Sequence, residues 1–124
     1  MTTILHLEDD GPLREILKIA LCTVDSMIEV EQFITGEDAI AYAQEHLGEI
    51  DLFVLDIRVA GKLTGVDVAQ KLREMGAKRP IILTSAYRRP ASDLLDDLEC
   101  KWLAKPWHIV DAHKVILPLA KHHA

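Results

Sequence analysis

The sequence has no excess of basic residues, no cysteine pairing pattern and no long apolar run, and each absence removes a class of function. Fourteen lysines and arginines stand against twenty aspartates and glutamates, a formal charge of −6. Such a surface repels nucleic acid and anionic membranes, so no direct nucleic-acid contact and no membrane association are expected. Apolar stretches stay well short of the roughly 18 residues that a membrane span needs, and the amino terminus lacks the basic-then-apolar pattern of a signal peptide. A soluble, cytoplasmic protein is expected. Cys22 and Cys100 are the only cysteines, far apart and outside any CxxC spacing, which favours free thiols over a disulfide or a metal site. There is no internal repeat and no low-complexity linker, and 124 residues at 49% hydrophobic content suit one domain, 1–124, with a real core.

Within that single domain, apolar runs alternate with helical periodicity. Thr2 to Leu7 is β-branched and apolar and ends in Glu8, Asp9 and Asp10. Gly11-Pro12 opens a helix to about Cys22, with Leu13, Ile16, Leu17, Ala20 and Leu21 at helical spacing. A second strand, Ile28 to Ile34, alternates Ile28, Val30 and Gln32 on one face with Glu29, Glu31 and Phe33 on the other, which suits a sheet edge. Thr35 with Asp38 resembles a capping box for a helix that Gly48 ends. Leu52 to Leu55 then run straight into Asp56, reading as a strand buried on both faces. After a loop from Ile57 to Thr64, a helix spans Gly65 to Met75, with Gly76 as terminator. Ile81 to Thr84 forms a fourth strand, Arg89-Pro90 leads into a helix carrying Leu94, Leu95 and Leu98, and Trp102 to Ala104 forms a short fifth strand. The last helix is expected from Ile109 to about Leu117, where Pro118 should kink or end it.

This βαβαβαβαβα order predicts an α/β fold, a doubly wound five-stranded parallel sheet with helices on both faces. Strand order 2-1-3-4-5 would set the first and third strands side by side at the switch point, although alternation alone does not prove it. In that arrangement Glu8, Asp9, Asp56, Ser85 and Lys105 emerge at one carboxyl edge. Alone, Asp56 serves equally well as a turn cap. Clustered carboxylates repel one another, however, so the group makes physical sense with a hard cation, and Mg²⁺ suits one or two carboxylates with a phosphate oxygen and waters. Asp56 would then be a nucleophile forming an acyl phosphate, with Lys105 neutralising the transferring group and Ser85 bonding a phosphoryl oxygen. Asp10 fits a helix start better than a third acid ligand. His6 fits a hydrogen-bonded core histidine, and His108, His113, His122 and His123 fit the surface.

The pieces Leu5-His6-Leu7-Glu8-Asp9-Asp10 with Arg14, Val54-Leu55-Asp56 with Gly65, Leu83-Thr84-Ser85-Ala86 and Lys105-Pro106 occur in one order along the whole chain. Together they resemble the receiver domain of two-component response regulators, of the chemotaxis-regulator type. The resemblance implies the flavodoxin-like strand order 2-1-3-4-5 and a phosphoacceptor switch that takes phosphate on Asp56 from a sensor histidine kinase or a histidine phosphotransfer protein. It also implies that Glu8 and Asp9 hold Mg²⁺ together with Asp56 and the main-chain carbonyl of Arg58. Ser85 would be the switch hydroxyl, Lys105 the phosphate-binding cation and Trp102 the switch aromatic. Output would pass through the surface of the fourth helix, fifth strand and fifth helix to a downstream protein or a homodimer. The chain would be no enzyme beyond its own phosphorylation and slow dephosphorylation, and with only Lys121 to Ala124 after the last helix, no attached effector domain is expected.

Several positions depart from the family pattern. Glu8 replaces the commoner Asp with a side chain one methylene longer, which would place its metal contact through water. The loop from Arg58 to Gly65 is one residue longer than usual, with Ala60 where proline is frequent. Trp102 stands where Tyr or Phe is common. Arg58 and Tyr87, at the mouth of the site, are expected to gate water and so set the lifetime of the phosphorylated state. Two other functions compete: a receiver-fold binding module that signals without phosphorylation, and a phosphohydrolase with an aspartyl nucleophile. The second would want an acid where Arg58 stands.

Overall fold

The computed structural model describes residues 1–86, 88–105 and 109–121, with side chains of the last segment described from 114 to 120. Five strands alternate with five helices: β1 (Thr2–Leu7), α1 (Gly11–Val24), β2 (Ile28–Phe33), α2 (Gly36–His46), β3 (Leu52–Asp56), α3 (Gly65–Glu74), β4 (Ile81–Ser85), α4 (Ser92–Leu98), β5 (Cys100–Ala104) and α5 (Ile109–Lys121). All ladders are parallel, in the order β2-β1-β3-β4-β5. The expected doubly wound sheet is therefore present, with β2 at an edge as its partial polarity requires.

Period-two alternation splits the apolar strands between two cores. Leu5, Leu7, Phe53, Leu55, Ile81 and Leu83 pack with Ala39 and Ala43 of α2, Val68, Ala69 and Leu72 of α3, and Leu95 of α4. Ile4, Leu52, Val54 and Ile82 face the other way, against Leu17 and Leu21 of α1 and Ile116, Leu117 and Ala120 of α5. Both faces of β3 are thus covered, which explains its unbroken apolar sequence. Arg73 of α3 ties the far side together, donating to the carbonyls of Leu98 at 2.8 Å and Glu99 at 2.9 Å at the end of α4.

Three local expectations are corrected. Helix α5 does not end near Leu117 but runs through Pro118 to Lys121. Pro118 and Lys114 are both exposed, so the proline sits on the solvent side of the helix, where the loss of its backbone hydrogen bond costs least. Helix α1 also extends two residues beyond Cys22. At α2, Thr35 accepts from the Asp38 amide at 3.2 Å, but the reciprocal capping box forms at Thr64 and Asp67 on α3, with bonds of 3.0 and 3.1 Å. Cys22 and Cys100 are free thiols, and burial pushes the Cys100 thiol up to about 11. Among the described residues, no helix is long and apolar enough to cross a membrane.

Candidate functional site

The parallel strands deliver their carboxyl ends to one edge, and the backbone ladder continues just past them. The Glu8 amide donates to the Phe33 carbonyl at 3.0 Å, the Ile57 amide to Thr84 at 2.9 Å, and the Lys105 amide to Ser85 at 2.9 Å. These bonds fix the bases of the side chains that matter. Glu8, Asp9, Asp10, Asp56, Arg58, Ser85 and Lys105 line one cleft of about 320 Å³. Counting by twos from Ile4 and Val54, Glu8 and Asp56 lie on the α1 face, whereas Ser85 counts with Ile81 and Leu83 on the opposite face.

Three carboxylates meet here. Ligand oxygens of Glu8, Asp9 and Asp56 lie within 4.8 Å of one another, with Glu8 and Asp56 buried and Asp9 exposed. An all-oxygen set of this kind suits a hard divalent cation. Lys105 Nζ bonds Glu8 Oε1 and lies 3.1 Å from Asp56 Oδ2. Burial pushes Glu8 up to about 7; the Lys105 bond pulls it down, and the Asp56 charge pushes it up again. Burial alone would lower Lys105, but its bonds to Glu8 and Asp56 and their charges outweigh that and raise it. The ammonium therefore stays charged between the two acids.

The backbone around Asp56 is packed closely on the loop's return. A Cβ at Gly65 would run into the Asp56 carbonyl, and the Gly65 amide donates to Ile57 at 2.9 Å. That contact is the physical reason for a glycine at this spacing. The intervening loop is held by α2: Ala60 bridges to Thr35, and the Glu37 carboxylate accepts the Leu63 amide at 3.1 Å. Glycine at 61, with φ of +94°, turns the chain against the Glu37 carboxylate. Arg58 lines the cleft as expected, while Tyr87 lies outside the described residues, as do Pro106, His108, His122 and His123.

Ser85 and Thr84 separate as period two demands. Ser85 lines the cleft, and its Oγ accepts a bond from the Trp102 indole nitrogen at 3.0 Å. Among the described residues, Thr84 Oγ1 is buried with no hydrogen-bond partner. Asp10 caps α1, accepting from the Leu13 amide at 3.1 Å, as expected of a helix start.

A supporting network was missed in the sequence. Gln32 Nε2 donates to His6 Nδ1 at 3.1 Å and to the Arg14 carbonyl at 2.7 Å, and Arg14 Nη1 donates to the Glu8 carbonyl at 2.8 Å. The amide donor assigns Nδ1 as acceptor, hence a neutral ring. Burial, then the Lys105 and Arg14 charges, hold His6 down at about 3. The available signal was Gln32 itself, a polar residue at an inward position of β2, directly opposite His6 in the register.

The chain resembles known proteins in both sequence and shape. Residues 4–117 match the response regulator receiver domain. A signal receiver domain of a modulated diguanylate cyclase from Desulfovibrio desulfuricans is 26% identical, with TM-score 0.77 over 97% of this chain and 94% of that one. A chain from the structure of histidine kinase ThkA in complex with response regulator protein TrrA is 27% identical, with TM-score 0.76 over 96% and 98% of the two chains. The chemotaxis protein CheY4 of Vibrio cholerae shares the fold at 21% identity, with TM-score 0.81 over 96% and 98%. No curated protein sequence matches significantly. With a family match over nearly its whole length and the family's five-stranded fold, this chain belongs to the response regulator receiver domains of two-component signalling.

Proposed function

We propose that this receiver domain is a Mg²⁺-dependent phosphoacceptor switch whose acceptor is Asp56. The observation that carries the proposal is the buried Asp56 carboxylate, 3.1 Å from Lys105 Nζ and beside the oxygens of Glu8 and Asp9. An Asp56 oxygen attacks the phosphorus of a partner's phosphohistidine; the O–P bond forms as the N–P bond breaks, and the imidazole leaves. Lys105 balances charge on the phosphoryl oxygens, and Ser85 donates a hydrogen bond to one of them. Glu8, Asp9, Asp56 and the Arg58 carbonyl would hold Mg²⁺, which when bound supplies charge neutralisation for the transferring group.

The donor is a sensor histidine kinase or a histidine phosphotransfer protein, the kind of partner that the ThkA–TrrA complex exemplifies. The setting is cytoplasmic, where such donors present their phosphohistidine. Output passes through the surface of α4, β5 and α5 to a downstream protein or a second copy of the chain. Arg58, which lines the cleft, and Tyr87, two residues after Ser85 in the sequence, are the pair assigned to limiting the access of water. The chain is a switch rather than a turnover enzyme, and Arg58 stands where an aspartyl phosphohydrolase would want a second acid.

The test is intact-mass measurement after incubation with Mg²⁺ and acetyl phosphate. One phosphoryl adduct, absent in Asp56→Asn and without Mg²⁺, supports the switch. No adduct at any donor concentration favours a phosphorylation-independent binding module. Steady phosphate release over many turnovers favours a hydrolase.

A further inference from the structure

We infer that Trp102 is a positioning residue that sets the direction of the Ser85 hydroxyl proton through its indole N–H. The inference rests on the phosphoacceptor function proposed above and concerns how its hydroxyl is readied.

The two side chains share one face of adjacent strands. Trp102 is opposite Leu83 in the β4–β5 register, and Ser85 is two residues further along. That diagonal lies within reach of an aromatic side chain. The indole nitrogen lies 3.0 Å from Ser85 Oγ, and Trp102 packs on the core beneath α2, α3 and α4. The bond is anchored at both ends: Ser85 is buried at the strand end, and the ring is held by its apolar neighbours.

The chemistry of the pair is asymmetric. An indole N–H can only donate, whereas a serine hydroxyl has one proton to give and two lone pairs to receive. A tyrosine hydroxyl at position 102 could donate to Ser85 or accept from it, and a phenylalanine could do neither. Tryptophan allows one arrangement. It occupies a lone pair of Ser85 Oγ and leaves the proton for an acceptor in the cleft, which Ser85 lines beside Asp56 and Lys105. Among the described residues this is the one hydrogen bond of Ser85 Oγ. The hydroxyl is thereby prepared as a donor to an oxygen on Asp56, and any movement of Ser85 toward that oxygen draws on the bond to Trp102. The aromatic side chain and the hydroxyl are coupled before any phosphoryl group arrives.

Two measurements test this together. The first is the ¹H–¹⁵N indole resonance of Trp102, assigned by its loss in Trp102→Phe, in the unphosphorylated protein. Ser85→Ala should move it upfield and speed its hydrogen exchange, and Ser85→Thr, which keeps an acceptor oxygen, should restore both. The second is the rate of adduct formation with acetyl phosphate and Mg²⁺. Trp102→Phe should slow it by about 2- to 10-fold, the worth of one ordinary hydrogen bond, with Mg²⁺ affinity unchanged. An indole resonance indifferent to Ser85→Ala overturns the inference, and so does a Trp102→Phe rate equal to wild type. If the wild type itself takes no phosphoryl group, the function and the positioning role fall together, whereas an adduct on both proteins at equal rates removes the positioning role alone.

Discussion

Lys105 Nζ lies 3.1 Å from Asp56 Oδ2 while donating to Glu8 Oε1, so one ammonium serves two buried carboxylates. Removing one partner of a buried ion pair leaves uncompensated charge, which costs about 3 kcal/mol or more. Lys105→Met should therefore destabilise the protein by about that amount at pH 8 without divalent ions. Glu8, held up at about 7, contributes stability that is full below its usual carboxylate range and is lost as pH rises through about 7. The Lys105→Met penalty should accordingly shrink at pH 5, where Glu8 takes a proton. Urea unfolding at the two pH values checks it, and equal penalties would contradict it. Glu8→Gln should flatten this pH dependence and weaken Mg²⁺ binding by roughly tenfold or more.

The buried, neutral His6 gives a dependence of opposite sign. Its folded value, about 3, lies below the ordinary 6.5, so the unfolded chain binds the extra proton. Stability from this residue is full above pH 6.5 and falls as the pH drops toward 3. At pH 5 the loss should be about 2 kcal/mol relative to pH 7, from about 1.4 kcal/mol per unit. His6→Asn does not titrate, and comparison with wild type cancels the contribution of Glu8. Parallel stability curves for the two proteins between pH 7 and 5 would contradict the burial of an uncharged ring.

Gly65 should tolerate no side chain. A Cβ there meets the Asp56 backbone, whereas a Cβ at Gly48 has nothing within 4 Å. Gly65→Ala should lose about 2 kcal/mol, typical of overpacking, and should disturb phosphorylation because the shift falls on the acceptor's own peptide. Gly48→Ala is the control, with stability changed by less than about 1 kcal/mol. Denaturant midpoints and adduct yields for both variants decide the matter.

The loop after β3 is fastened by Glu37, whose carboxylate accepts the Leu63 amide at 3.1 Å. Glu37→Ala should cost about 1 kcal/mol and raise the hydrogen exchange rate of the Leu63 amide. Glu37→Gln, which keeps a carbonyl oxygen, should recover most of both. Equal exchange in all three proteins would show that the fastening lies elsewhere.

The sequence was most readable where one pattern dominated. Leu52 to Asp56 read as a doubly covered strand because both faces had to be apolar, and β2 read as an edge because its alternation was half polar. Strand order needed the resemblance, since alternating elements permit more than one arrangement. Contacts across strands were hidden for a different reason: Trp102 with Ser85 and Gln32 with His6 meet only once the register is set. The hold of Glu37 on the loop was hidden as well, because in sequence it is one more acid at the start of a helix and nothing local tells that the loop folds back on it. Pro118 does not end the helix, because a proline's cost depends on its surroundings and here it lies with Lys114 on the exposed side of α5.

The most direct measurement is chemical identification of the phosphorylated atom. After loading with Mg²⁺ and acetyl phosphate, borohydride reduces an aspartyl phosphate to homoserine, and peptide mapping locates the change. Homoserine at position 56, with none at Asp9 and no 2-amino-5-hydroxypentanoic acid at Glu8, is the expected result. Reduction at another carboxylate, or an adduct resistant to borohydride, would contradict Asp56 as the acceptor.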